Sequence, residues 1–535
     1  MTRHTYCATR PSEHVYETLT YQVTACTVSH NNRVNLLCRC FNPDACLGGD
    51  AAALHLQGTE GAANQTGARR LLSNTTEQTY KTAQCAGPYQ GNMCGQCKQG
   101  YGKVRPFFCR QCMSQGTILA LYVTAGVIVT GLVKLLVHLT RSADVAVTRT
   151  DLLTPTPAEL LRALVFHAQW LYIISMMVGV PWPAILAWPL QVLGGIWSST
   201  SGSSIGFDCI LRGSKSAPVA VQKLLICLFT PFGVMCAILL IEGVMHCVRP
   251  SRLKNVGHDF VSVVMCIVFI FLPTWVNTAL SLFTCVALDA PPLPPYQADA
   301  VGSWWVEDTS QLCYSRSGYH SGWALGLGIP LALLLCVVLP SCVFLFMWYH
   351  RKQGKLADIE FQQHYGFMYR QWKDGWCWWE SVALLQTIAL VIVSTFGFAL
   401  GSYYQCLLSS TVLIIVVVML LVVKPFKCPA AGWVAVVSVC VLLLTTQAAL
   451  SFISADVISP RPVYGNITGA FVLVANMAFI LGTAWRLLKA VNWAVVKRLL
   501  RRLACCMAKA NTRHLPAARP GIRGSDDKDA NVLPE

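Results

Sequence analysis

Blocks of roughly 20 or more apolar residues with almost no charge recur along this chain, the length a helix needs to cross about 30 Å of hydrocarbon. They carry no polar face of the kind a helix on a soluble core would show. The chain is 54% hydrophobic and only 12% charged over 535 residues, whereas a soluble domain carries about a quarter charged residues. The expected architecture is an all-α polytopic membrane bundle of about nine transmembrane helices behind a small disulfide-rich N-terminal domain. Spans are expected at 117–139, 163–181, 221–247, 260–288, 323–349, 379–400, 406–423, 432–454 and 468–485. The domains are then 1–112, 113–485 and a basic tail, 486–535.

The basic residues orient these spans. With the N-terminus exoplasmic and the C-terminus cytoplasmic, the cytoplasmic connections and tail hold 24 Lys or Arg. The exoplasmic loops after the first span hold four, Arg212, Lys215, Arg316 and Arg461. That asymmetry follows the positive-inside rule. The net charge of +16 therefore reflects membrane topology, and nucleic acid is not an expected partner. The lipid bilayer is, and the tail has the charge to touch anionic lipid. The plasma membrane or another secretory-pathway membrane is the expected location.

Residues 1–112 hold ten of the 25 cysteines, in one cluster over Cys7–Cys46 and another over Cys85–Cys112. Their density in a short polar segment reads as a disulfide framework in an oxidising compartment. Candidates are Cys85, Cys94, Cys97, Cys109 and Cys112, together with Cys285 and Cys313, which flank a later loop. Each cluster has five cysteines, so full pairing needs a bridge between clusters or to a cysteine elsewhere. Cys94-x2-Cys97 and Cys109-x2-Cys112 could also hold a tetrahedral zinc, but the crowding of cysteines favours disulfides, and no metal or other cofactor is expected. Asn64, Asn74 and Asn466 stand in glycosylation sequons. No apolar stretch follows Met1, so either the natural chain begins upstream or the cysteine domain is cytoplasmic; we expect the former.

Residues 182–208, broken by Pro183, Pro189 and several glycines, read as an interfacial or re-entrant segment. The tryptophan run Trp372–Trp379 reads as an interfacial elbow. Within the spans, His167 (beside Gln169), Glu242 and Asn277 are the polar candidates, to be weighed against snorkelling and interhelical hydrogen bonding. Pro231, Pro273, Pro330 and Pro340 interrupt spans. Cys505 and Cys506 follow a basic segment and suit S-palmitoylation. No voltage-sensor repeat, phosphate loop, H-E-x-x-H or G-x-S-x-G is present, and the chain is not expected to be an enzyme.

Several segments together resemble a group of algal, oomycete and other protist membrane proteins that join EGF- or laminin-like modules to a TRP-like polytopic domain. They are Cys85–Cys94 continuing through Gly100-Tyr101 to Cys112, Phe166–Gln169 with Val180-Pro181-Trp182-Pro183 and Cys209, Pro273 with Phe283-Thr284-Cys285, and Gly328-Ile329-Pro330. The most specific match is Gly366-Phe367-Met368-Tyr369 followed by Trp378-Trp379-Glu380. The group commonly has an Arg-Lys pair after its Trp-Trp-Glu; Gln386 and Thr387 stand there in this chain. The resemblance covers roughly 85–490 and implies a TRP-like channel or sensor. A receptor or adhesion-type protein without a pore, and a transporter with a site near His167, are the alternatives. An extracellular ligand or matrix component and a second copy of the chain are the expected protein-level partners.

Overall fold

The computed structural model describes residues 85–142, 154–177, parts of 180–186, 207–211, 218–248, 256–287, 302–316, 318–458 and 462–491. Asn64, Asn74, the Cys7–Cys46 cluster, Cys505, Cys506 and most of 182–208 lie outside these residues. The chain divides into two units, Met1–Ala484 and Trp485–Glu535; the hairpins and nearly all of the helical bundle belong to the first.

Two small hairpins come first. Strands β1 (Tyr89–Gln90) and β2 (Gln96–Cys97) pair antiparallel, as do β3 (Tyr101–Arg105) and β4 (Phe108–Gln111). So small a unit buries little, and disulfides Cys85–Cys94 and Cys97–Cys109 hold it. A third, Cys112–Cys209, ties it to the residues before a later helix. The unpaired fifth cysteine of this cluster thus finds its partner in the polytopic part. Each Cys-x2-Cys hook is split between two bridges, so its sulfurs are not free thiolates for zinc.

The helices are α1 (Gln115–Ser142), α2 (Pro157–Ser175), α3 (Val219–Val248), α4 (Val256–Ser281), α5 (His320–Lys352), α6 (Ile359–Tyr369), α7 (Trp379–Phe396), α8 (Ser402–Val423), α9 (Pro429–Ile458) and α10 (Pro462–Ala490). Among the described residues, eight are long and apolar enough to cross a membrane: α1, α3, α4, α5, α7, α8, α9 and α10. The protein is a multi-pass membrane protein. Helix α2 is not among the eight, because Glu159, Arg162, His167 and Gln169 lower its apolarity.

Helix α2 also begins six residues before the expected span. Thr156 caps it: its hydroxyl accepts from Glu159 N–H while the Glu159 carboxylate accepts from Thr156 N–H, and Pro157 takes the first turn. Arg162 therefore lies inside a helix and not at the end of a connection. The fourth span is shorter than expected. After Ser281 the chain turns into β5 (Cys285–Ala287), which pairs with β6 (Ser303–Trp305). Asn466 is exposed within α10, one turn from its start, and not in a loop.

The prolines act locally. Pro330 and Pro340 each follow a widened π-helical stretch, Ala324–Gly328 and Leu334–Val338. A proline cannot bond to the carbonyl four residues back, here Gly326 and Cys336, and those carbonyls lie inside the two widened stretches. Gly328 has a second role, since a Cβ there would come within 2.9 Å of the Phe283 ring. In α4, Pro273 frees the Phe269 carbonyl, and Gln169 Nε2 donates to Phe269 O at 3.2 Å and Ile270 O at 3.0 Å. The core is a continuous apolar cluster drawn mainly from α2, α4, α7, α8 and α9, with Ile174, Val276, Leu390, Leu413 and Leu442 at its centre.

Candidate functional site

Three constellations bring chemistry-bearing side chains together. The first sits where α2 meets the connector between α5 and α7. Arg162, about one turn inside α2, is 4% exposed and forms an ion pair with Glu380 in the first turn of α7, itself 4% exposed. Arg162 also donates to Phe367 O at 2.8 Å, and Trp372 Nε1 donates to the other Glu380 oxygen at 3.3 Å. The rings of Phe367, Phe269 and Phe166 lie 4.7, 4.9 and 5.8 Å from the guanidinium. A cation held so deeply needs both a counter-charge and hydrogen bonds to offset its desolvation, and the ring faces add to these.

The motif residues 366–369 and 378–380 meet here. Phe367 and Glu380 contact Arg162 directly. Tyr369 is buried and donates to Leu356 O at 2.9 Å, which closes the connector on itself. Trp379 is buried between Trp372 and Trp376, while Trp378 packs on Phe344. Trp372 also packs on Phe426 at 4.7 Å. Trp372 and Trp379 are therefore interior to the protein, while Trp376 and Trp378 are only partly covered. A Cβ on Gly366 would meet only Arg370, at an ordinary 3.9 Å. Of the two residues after the motif, Thr387 accepts from Trp170 Nε1 at 3.2 Å, and Gln386 Nε2 is buried with no partner among the described residues. Arg162, the centre of the group, was not singled out in the sequence.

The second constellation fastens the hairpins to the bundle. Lys103 N–H donates to Asp208 at 2.8 Å, and Asp208 pairs with Lys223 of α3 at 3.4 Å. Lys103 Nζ donates to Val306 O at 2.6 Å and Glu307 O at 3.3 Å. Loss of water around this ammonium lowers its pKa from the ordinary value, and the Glu307 carboxylate opposes that shift. Asn92 donates to Thr309 O and Gln96 to Asp308. The loop they grip is closed by Cys285–Cys313. His320 lies beside that disulfide; its Nδ1 accepts from Tyr314 N–H and its Nε2 donates to Leu282 O. With both sulfurs oxidised and both ring nitrogens bonded, these three residues do not make a metal site.

The third joins α2, α9 and α10. His167 is fully buried, with Nδ1 3.0 Å from Ser438 Oγ and Nε2 3.2 Å from Asn476 Oδ1. Asn476 Nδ2 in turn donates to Thr445 Oγ1 and Val472 O. Elsewhere Glu242 of α3 pairs with Lys134 of α1, and exposed Asn277 accepts from Thr395 at 3.0 Å. These are interhelical links.

Comparison with family models, with curated proteins and with solved structures found no match. The reading of the site rests on its own geometry.

Proposed function

We propose that this protein is a TRP-like membrane sensor that reads a stimulus at its disulfide-bonded domain and passes it through the bundle to the connector at 353–378. One observation carries the proposal. The hairpins are joined covalently through Cys112–Cys209 to a segment that precedes α3, and by Lys103, Asn92 and Gln96 to residues 306–309 of the loop between α4 and α5. Any displacement of the domain must therefore load those helices. Helix α5 leads from that loop to the connector that carries Phe367 and runs into α7 just before Glu380.

Connectivity supports a ninth crossing by α2. Helix α1 starts beside Cys112, and α3 starts beside its partner Cys209, so the chain must return between them. At 1.5 Å per residue, the 19 residues of α2 span about 28 Å. Nine crossings, the basic-residue asymmetry and the disulfides together favour an exoplasmic hairpin domain and a cytoplasmic C-terminus.

The spans' charged residues favour a sensor over a pore within one chain. Lys134 pairs with Glu242, Lys223 with Asp208, and Glu380 with Arg162. Conduction in this account requires a path between copies. The transporter reading loses support because both ring nitrogens of His167 are bonded within the protein.

The test is to cut the link. In Cys112→Ser and Cys209→Ser proteins reconstituted in vesicles, protease sensitivity of the 353–378 connector should rise while the helices stay intact. Unchanged sensitivity in both variants contradicts the sensor reading. Current recording on the same preparations separates the arms: a current in the monomer places the pore within the chain, against this account.

A further inference from the structure

A cavity lies beside the Arg162–Glu380 pair, between α2, the 371–372 segment, α7, α8 and α9. It leaves about 80 Å³ in which the centre of a water-sized sphere fits, where one water needs about 10–15 Å³. The walls are apolar and strongly aromatic: Phe166, Trp170, Trp372, Trp379 and Phe426 contribute, with aliphatic residues of α8 and α9. Only Glu159, Arg162, Gln371, Gln386 and Ser438 among the lining residues are polar.

Two of those polar residues hold buried hydrogen-bond donors with no partner among the described residues, Arg162 Nε and Gln386 Nε2. Arg162 is 96% buried, and its other two nitrogens are already engaged by Phe367 O and Glu380. Stranded donors on the wall of an apolar cavity call for an acceptor. Charge narrows the choice. Glu380 already matches the Arg162 charge, and Glu159 adds a carboxylate to the lining. An anionic head would find the Arg162 charge already matched by Glu380, and a cation could not satisfy the N–H groups.

We propose that this cavity takes the polar end of an uncharged amphiphile of the bilayer, whose hydroxyl or carbonyl oxygen accepts from Arg162 and Gln386 while most of its apolar body lies outside the enclosed space, toward lipid. The lining helices α7, α8 and α9 are spans, so the ligand is one that partitions into lipid. A sterol and a diacylglycerol share this chemistry. Such a site would serve a sensor, a receptor or a channel alike.

The test uses full-length protein in nanodiscs with three photoactivatable probes: a sterol, a diacylglycerol and the matching phosphatidic acid. Adducts are mapped by mass spectrometry. We expect one of the neutral probes to label peptides covering 159–170, 371–386 or 431–439, and which one does so identifies the source. Ala435→Trp, which fills the cavity, should abolish labelling there. Gln386→Leu, which removes a donor without adding bulk, should weaken it by roughly tenfold, the worth of about one hydrogen bond. The proposal is overturned if no neutral probe labels these peptides, as for a cavity holding only water. It is also overturned if the phosphatidic acid labels best, or if labelling is the same in wild type and Gln386→Leu.

Discussion

The Arg162 guanidinium and the Glu380 carboxylate, 218 positions apart in sequence, form an ion pair that is buried on both sides. Around it gather Phe367, Trp372 and Phe269, from the connector and from α4. The pair joins the N-terminal third of the bundle to the helix that leaves the connector. A buried pair adds little over an apolar replacement, yet breaking it on one side strands a charge. Arg162→Met or Glu380→Leu alone should therefore cost about 3–5 kcal/mol in thermal or denaturant unfolding of the detergent-solubilised protein. The double replacement should recover much of that loss. Arg162→Lys should not rescue, because an ammonium cannot span Phe367 O and Glu380 while stacking among three rings. Additive losses in the double variant would contradict this account.

A second prediction concerns Gln169 and Pro273. Gln169 donates to the carbonyl that Pro273 leaves unbonded, so the two should be coupled. Gln169→Leu should destabilise by about 1–2 kcal/mol in the wild-type background. In a Pro273→Ala background, where the α4 N–H can bond Phe269 O itself, the same substitution should cost less. A double-mutant cycle measures the difference, and zero coupling would contradict the pairing.

Gly328 tests the packing at the head of α5. A Cβ there would lie 2.9 Å from the Phe283 ring, and overpacking of this kind costs about 1–3 kcal/mol. Gly328→Ala should lower the midpoint of thermal unfolding. Phe283→Leu in the same chain should restore part of it.

How much of the fold and the site was legible in the sequence depends on the kind of signal each element carries. Helices that leave most of their residues on the outside of the bundle, such as α3 and α5, announce themselves by length and uniform apolarity, and their spans stand out directly. Helix α2 does not, because it is central: packing on all sides lets it carry Arg162, His167 and Gln169, and polar residues lower the signal that marks a span. Its start was nonetheless written in Thr156-Pro157-Ala158-Glu159, a capping box that would have brought Arg162 inside the helix. The motif around Gly366–Tyr369 and Trp378–Glu380 was visible as a pattern, but its purpose was not. Its charge partner lies some 200 residues away, and a single sequence has no means of joining the two. The Cys112–Cys209 bridge was foreshadowed only by the odd number of cysteines in its cluster.

Lys103 offers a separate probe of the hairpin domain. Its ammonium donates to two carbonyls of the loop before α5, and Lys103→Met removes both bonds while keeping the stem. We expect faster hydrogen exchange across 303–311, with the Cys97–Cys109 and Cys112–Cys209 disulfides still formed on peptide mapping. Unchanged exchange would mean that the bridge and the Asn92 and Gln96 hydrogen bonds hold the loop without the Lys103 ammonium.

The most direct test of the sensor account is hydrogen exchange at residues 359–380 in the reconstituted protein, compared between wild type and Cys112→Ser. The account predicts altered protection there, at the far end of α5 from the broken disulfide, with α8 and α9 unchanged. Protection that changes only near residues 85–112 and 207–211, and not at 359–380, would contradict it.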